Sequence, residues 1–106
     1  MGFFDVIKLP DIDKGVKIYK SVPGAVLLDV RSGNEYREGH IPESKNLPLQ
    51  IIEEAEKEIP DKNLPLFVYC YSGARSERAV AALEKMGFSC VTNIGGISSY
   101  SGKIEA

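Results

Sequence analysis

The chain has 106 residues, of which 43% are hydrophobic and 26% are charged, and its formal net charge is −2 at pH 7. This length predicts one domain over residues 1–106, built around a single core. The composition is that of a folded globular protein and argues against a disordered or membrane-spanning chain. The small negative charge gives no general attraction to nucleic acid or acidic membranes, so we expect neither as a partner.

The first residues and the cysteine count bear on the compartment. The N-terminal sequence MGFFDV lacks the basic flank and long apolar core of a signal peptide, and Val6 replaces the Ser or Thr of a myristoylation signal. Cys70 and Cys90 are the only cysteines, so no disulfide framework is predicted. We therefore expect a cytoplasmic location, where reducing conditions suit a reactive thiol.

Apolar runs and helical periodicities alternate along the chain. Strands are predicted at residues 3–7, 25–30, 46–49, 64–70 and 89–94. Helices are predicted at residues 11–20, 33–38, 50–59 and 76–86, with a capping box of Ser32 and Glu35 opening the second. This alternation predicts an α/β fold with an open parallel sheet of about five strands and right-handed crossovers. Ligands of such sheets bind at the carboxyl ends of the strands.

Cys70 stands where the predicted central strand ends, before a short loop and a helix. Loop amides and the positive end of the helix dipole meet at such a position, so a thiolate is favoured there and the pKa of Cys70 should fall. Arg75 adds a cation whose planar fork can hold an oxyanion. Gly73 allows a backbone conformation that side chains disfavour, and Ser72 and Ala74 leave the mouth open. The pattern predicts a nucleophilic cysteine acting on small anions.

Each candidate residue, Cys70 included, also has a purely structural interpretation. Cys70 itself could be a small buried hydrophobe, as most free cysteines are. His40 is predicted to make a structural hydrogen bond to backbone, and Asp29 an ion pair in which Arg31 adds to the local positive field. Cys90 is predicted to lie in the core, and no metal-ligand spacing is present among Cys70, Cys90 and His40.

Several short motifs then resemble one known family. In chain order they are LDVR at 28–31, EY at 35–36, GHIP at 39–42, NLP at 46–48, VYC at 68–70, SG at 72–73, RS at 75–76, GF at 87–88 and GGI at 95–97. Their order and spacing resemble the single-domain rhodanese family of sulfurtransferases over about residues 26–100. The resemblance implies a rhodanese-like fold, an open parallel sheet of about five strands with helices on both faces.

The resemblance also implies a chemistry. Cys70 would attack a small anionic donor such as thiosulfate, carry its sulfane sulfur as a persulfide, and pass it to cyanide, a thiol or a protein acceptor. The amides of residues Tyr71, Ser72, Gly73, Ala74 and Arg75 would surround the sulfur anion, and Arg75 would bind the donor. Apart from the resemblance, the position of Arg31 at the mouth of the neighbouring strand makes it a further expected substrate-binding residue. No metal or organic cofactor is implied.

Two other functions remain open from the sequence. Cysteine phosphatases and arsenate reductases also use a thiolate, a loop of amides and an arginine, but phosphatases place five residues between the cysteine and the arginine. Only four residues separate Cys70 from Arg75, which predicts a ring better suited to one sulfur atom than to a tetrahedral phosphate. A non-catalytic interaction module is the third possibility, although such relatives of the rhodanese family usually lose the cysteine.

Overall fold

The fold is organised around strand β3 (Leu66–Cys70), in which every residue is buried. The structure is a computed structural model that describes residues 10–106. The other strands are β1 (Val26–Asp29), β2 (Lys45–Asn46) and β4 (Val91–Gly96), and all pairings in the order β2-β1-β3-β4 are parallel. The α/β class and the open parallel sheet are therefore confirmed.

Within residues 10–106, four α-helices and two 3-10 helices precede, connect and follow the strands. Their bounds are α1 Ile12–Ser21, α2 Gly33–Glu38, α3 Ala55–Glu58 and α4 Ala74–Lys85, with 3-10 helices at Leu49–Glu54 and Ile97–Ser99. None of the helices within residues 10–106 is long and apolar enough to cross a membrane.

Alternating side chains of β3 divide the core between the two faces of the sheet. Val68 and Cys70 point to one face, where they join a cluster with Ala79 and Leu83 of α4. Phe67 and Tyr69 point to the opposite face and pack with residues of α1. This alternation follows from the two-residue period of a strand, and it places the Cys70 side chain beneath α4.

The chain reverses direction across the sheet between β1 and β3. From β1 it passes through α2 to the edge strand β2, and then returns to β3 on the other side of β1. Such a reversal is the topological switch point, where the segments after two neighbouring strands diverge and leave a crevice. Here one segment is the start of α2 and the other is residues 71–73. We call residues 71–73 the cysteine loop.

Several predicted elements are corrected by the structure. The sheet of residues 10–106 has four strands rather than about five, and the strand predicted at 3–7 lies outside the described residues. The strand predicted at 46–49 is only Lys45–Asn46, because Pro48 has no N–H for a sheet and is followed directly by a 3-10 helix. The helix predicted at 50–59 is divided at Ile51, whose φ of −123° is not helical and whose side chain is exposed.

Two further differences concern the ends of elements. Helix α4 begins at Ala74, two residues earlier than predicted, because Gly73 is the N-cap and the helix follows it at once. Cys90 is exposed rather than buried, since it lies just before β4 and contributes its carbonyl to the Leu66 amide at 2.8 Å. The predicted capping box of Ser32 and Glu35 is confirmed at the start of α2.

Candidate active site

Cys70 ends β3 with its side chain turned toward the first turn of α4. The residue is only 1% exposed, yet its sulfur is not surrounded by hydrocarbon alone. The Gly73 amide donates to Cys70 Sγ at 3.0 Å, and the Ser76 hydroxyl lies 3.5 Å from the same atom. The sulfur is thus held by polar donors from the cysteine loop and from α4.

The conformation of the cysteine loop depends on two glycines. Gly73 has φ of +104°, a left-handed conformation that a residue with a side chain adopts only with strain, as the sequence predicted. Gly96 at the end of β4 lets the loop backbone approach closely, because a Cβ there would lie 2.1 Å from the Tyr71 carbonyl oxygen. The same carbonyl accepts from the Ser98 amide at 3.1 Å, so the loop rests on the end of β4.

Opposing effects act on the Cys70 thiol. Burial raises its pKa, because a thiolate loses water at this position. Hydrogen bonds from the Ser76 side chain and from the amides of Ser76, Gly73 and Ser72 together outweigh burial and lower the pKa of Cys70 below its ordinary value. These hydrogen bonds therefore stabilise the thiolate, which is the nucleophilic form of cysteine.

Arg75 forms an ion pair with Glu35. Its Nη1 and Nη2 donate to the two carboxylate oxygens of Glu35 at 2.8 and 3.0 Å, in a fork that joins α4 to α2. These hydrogen bonds lower the pKa of Glu35 to about 2, against the opposite effect of partial burial. Both side chains remain about one-third exposed, so solvent reaches the ion pair.

Arg31 has a different position from the one predicted for a substrate ligand. It is 5% exposed, and its Nη2 donates to Asp29 Oδ2 and to the Gly39 carbonyl, each at 2.7 Å. Its Nε also donates to Asp29, so the predicted ion pair is confirmed. Burial acts to lower the pKa of Arg31, but the hydrogen bonds and charge of Asp29 raise it overall. These contacts indicate a structural role, and donor binding by Arg31 stays a prediction.

The sequence reasoning missed three residues of this site. Glu35 was recognised only as a helix cap, whereas it also binds Arg75. Ser76 contributes both its amide and its hydroxyl to Cys70, and Asn93 of β4 accepts from that hydroxyl at 2.8 Å. The serine after the arginine was visible in the sequence, but nothing local to residue 93 indicates that its side chain reaches the loop.

A cavity of about 460 Å³ lies on the β4 side of the cysteine loop. Its walls combine loop backbone, the first turn of α4, the end of β4 and the start of α1, and the lining residues are Pro10, Ile12, Ser72, Gly73, Ala74, Glu77, Asn93, Gly95, Gly96 and Ser99. The cavity is therefore on the opposite side of the loop from the ion pair of Glu35 and Arg75. A small molecule could approach the loop from either side.

Comparisons with known proteins agree with this architecture. The model of the rhodanese-like domain matches residues 14–103. YqhL of Bacillus subtilis, an uncharacterized protein, is 40% identical over 84 residues, which cover 77% of this chain and 65% of that protein. The chain spans 43% of another Bacillus subtilis relative.

A curated protein and a solved structure, both from Escherichia coli, extend the comparison. The thiosulfate sulfurtransferase PspE is 37% identical over 75 residues, covering 70% of this chain and 72% of PspE. A solved structure described as a rhodanese with anions superposes with a TM-score of 0.70 at 32% identity, covering 76% of this chain and 96% of that one. With its parallel sheet, its strand-ending cysteine and these matches, the chain belongs to the rhodanese-like domain family.

Proposed function

We propose that this protein is a sulfurtransferase that carries a sulfane sulfur as a persulfide on Cys70. The observation that carries the proposal is the hydrogen bond from the Gly73 amide to Cys70 Sγ at 3.0 Å. Only four residues separate Cys70 from Arg75, so the loop that supplies this amide is short. Amide donors in so short a loop suit a single sulfur anion. The names of family members such as PspE support the same reaction class.

The donor step follows from the charges at the site. The Cys70 thiolate attacks the outer sulfur of thiosulfate, a new S–S bond forms, and the old one breaks with its electron pair leaving on sulfite. The persulfide anion then lies among the amides of residues 71–75, next to the positive end of the α4 dipole. Arg75 attracts the dianionic donor, and in this proposal Arg31 acts through the local positive field.

The acceptor step reverses this bond exchange. An incoming thiolate or cyanide attacks the outer sulfur, and the S–S bond breaks with its electron pair returning to Cys70 Sγ. The acceptor leaves with one added sulfur, and the thiolate is ready for another donor. No oxidant or reductant is consumed, so the protein's own residues suffice for both steps. A reducing compartment such as the cytoplasm would keep Cys70 reduced.

Mass spectrometry of the intact protein tests this proposal. The protein is incubated with thiosulfate, freed of excess donor and weighed, and we expect one added sulfur atom that cyanide removes as thiocyanate. Cys70→Ala should gain nothing, whereas the matched variant Cys90→Ala, which changes the exposed cysteine, should still gain one sulfur. The absence of an adduct and of thiocyanate would overturn the proposal, and turnover of an aryl phosphate would point to a phosphatase.

A further inference from the structure

The Ser76 hydroxyl has one proton and three acceptors within reach. Ser76 is fully buried, and its Oγ lies 2.8 Å from Asn93 Oδ1, 3.0 Å from the Gly73 carbonyl oxygen and 3.5 Å from Cys70 Sγ. A hydroxyl donates a single hydrogen bond at a time. The direction of this proton therefore decides whether Ser76 donates to the reactive sulfur or to a neighbour.

Asn93 presents its oxygen to Ser76 because other contacts fix the orientation of its amide. Its Oδ1 also accepts from the Gly95 amide at 2.9 Å, while its Nδ2 donates to the Gly73 carbonyl at 3.2 Å. Rotating the Asn93 amide by half a turn would place its NH2 group against the Gly95 N–H and its oxygen against the Gly73 carbonyl oxygen, and both hydrogen bonds would be lost. Asn93 pairs with Val68 in the β3–β4 register, so its side chain lies on the same face of the sheet as Cys70 and α4.

The preferred acceptor depends on the charge of the cysteine sulfur. A neutral thiol, or the inner sulfur of a persulfide, is a weak acceptor, so the proton belongs on Asn93 Oδ1 at the shortest of the three distances. A thiolate accepts a charge-assisted hydrogen bond, which is stronger than a bond to a neutral amide oxygen. Rotation of the hydroxyl alone is enough to move the proton from one acceptor to the other.

We propose that Asn93 is a positioning residue that holds the Ser76 hydroxyl while the cysteine sulfur is uncharged and releases it to Cys70 Sγ when the sulfur becomes a thiolate. The inference rests on the proposed sulfur transfer for its place in a reaction. When an acceptor thiolate attacks the outer sulfur, the S–S electron pair goes to Sγ and the hydroxyl turns to stabilise it. When thiosulfate reloads the cysteine and sulfite leaves, the hydroxyl returns to Asn93.

The competition for this proton makes opposite predictions for two variants of Asn93. Asn93→Leu removes the nearer of the two neutral acceptors at similar volume and leaves the Gly73 carbonyl, so donation to the thiolate becomes easier. Asn93→Asp keeps an acceptor and gives it a full negative charge, so donation to the thiolate becomes harder. Simple loosening of the loop would shift both variants in the same direction. Arg75, whose pKa is raised in part by the charge of Cys70, is unchanged in every variant.

The experiment measures the thiolate-to-thiol ratio of Cys70 by ultraviolet absorbance, at a fixed pH below the titration midpoint and in a Cys90→Ser background. We expect the ratio to rise about threefold in Asn93→Leu and to fall about tenfold in Asn93→Asp and in Ser76→Ala. In a Ser76→Ala background, Asn93→Leu should change nothing, because its route to the sulfur is gone. Thermal unfolding of each variant reports whether it is folded.

Two results would overturn this role for Asn93. One is a thiolate-to-thiol ratio of Cys70 that is unchanged or lowered in folded Asn93→Leu. If Asn93→Leu does not fold, a raised ratio in Asn93→Asp has the same meaning. The other is the same threefold rise in the Ser76→Ala background. Thiolate titration needs no sulfur donor, so its outcome is independent of the proposed function. If persulfide forms, its discharge to a thiol should slow about tenfold in Ser76→Ala. An unchanged discharge rate would contradict the claim that the Ser76 hydroxyl stabilises the thiolate as the S–S bond breaks.

Discussion

Replacing Glu35 by Gln should make the protein a better catalyst with an anionic donor. In the native protein the Glu35 carboxylate binds Arg75 at 2.8 and 3.0 Å, so a negative charge lies beside the arginine that attracts the donor in the proposed reaction. Gln retains the amide oxygen that a capping box needs, so α2 should keep its start at Ser32. The substitution therefore removes the charge and one of the two hydrogen bonds from Arg75, because the amide nitrogen of Gln cannot accept.

The magnitude follows from Coulomb's law. A dianion roughly 7 Å from one negative charge, at a water-like dielectric constant, is repelled by ~1 kcal/mol. Removing that repulsion should raise kcat/KM for thiosulfate roughly fivefold, chiefly through a lower KM. Because both side chains are about one-third exposed, added salt should screen the interaction, and the gain should shrink at high ionic strength.

The assay is thiocyanate formation at several thiosulfate concentrations, at low and at high salt. The matched control is Glu38→Gln, which removes the same charge from the other end of α2, where the residue is exposed. We expect the control to behave like the native enzyme. A higher KM in Glu35→Gln, or an equal gain in both variants, would refute the idea that the Glu35 charge opposes the donor at this site.

Three further predictions concern stability. The pKa of Glu35 is lowered to about 2, so its ion pair should stabilise the protein fully above the ordinary carboxyl pKa and lose this effect as the pH falls through about 2. In urea unfolding, the free energies of the native protein and Glu35→Gln should differ by ~1 kcal/mol near neutral pH and converge in acid. Gly96→Ala should lower the free energy of unfolding by ~1–3 kcal/mol, because its Cβ would meet the Tyr71 carbonyl at 2.1 Å, whereas Gly33→Ala, at the start of α2, should not. Gly15→Ala should destabilise the protein in thermal unfolding, although alanine favours helices by ~1 kcal/mol, because a Cβ would lie 2.5 Å from Ile94 Cβ; a higher melting temperature would contradict this.

The parts of the site that were predictable are those encoded by neighbouring residues. Cys70 could be placed at a strand end because an apolar run stops there and a helical period follows. The left-handed Gly73 and the cap formed by Ser32 and Glu35 also depend on contacts within a few residues. These features follow from local backbone preferences, which the sequence displays directly.

The parts that were missed depend on contacts between distant segments. Glu35 and Arg75 are 40 residues apart, and only the reversal of chain direction between β1 and β3 brings their helices together. Asn93 reaches the loop because it pairs with Val68 in the β3–β4 register, on the face of the sheet that carries Cys70. Gly15 has a low helix propensity, which by itself marks a weak point of α1, yet it is the position at which that helix packs directly on Ile94. Its tertiary contact therefore outweighs its local preference.

The distribution of donors around Cys70 suits both steps of the proposed sulfur transfer. Main-chain amides are neutral and fixed, so they lower the pKa of the thiol without neutralising the thiolate as a bound metal ion would. Arg75, the nearby cation, is already engaged by Glu35, and the sulfur therefore keeps its nucleophilic character. A donor that cannot move would favour the thiolate equally at every stage. The Ser76 hydroxyl differs because it has an alternative acceptor in Asn93, and its stabilisation can follow the charge on the sulfur through the two steps.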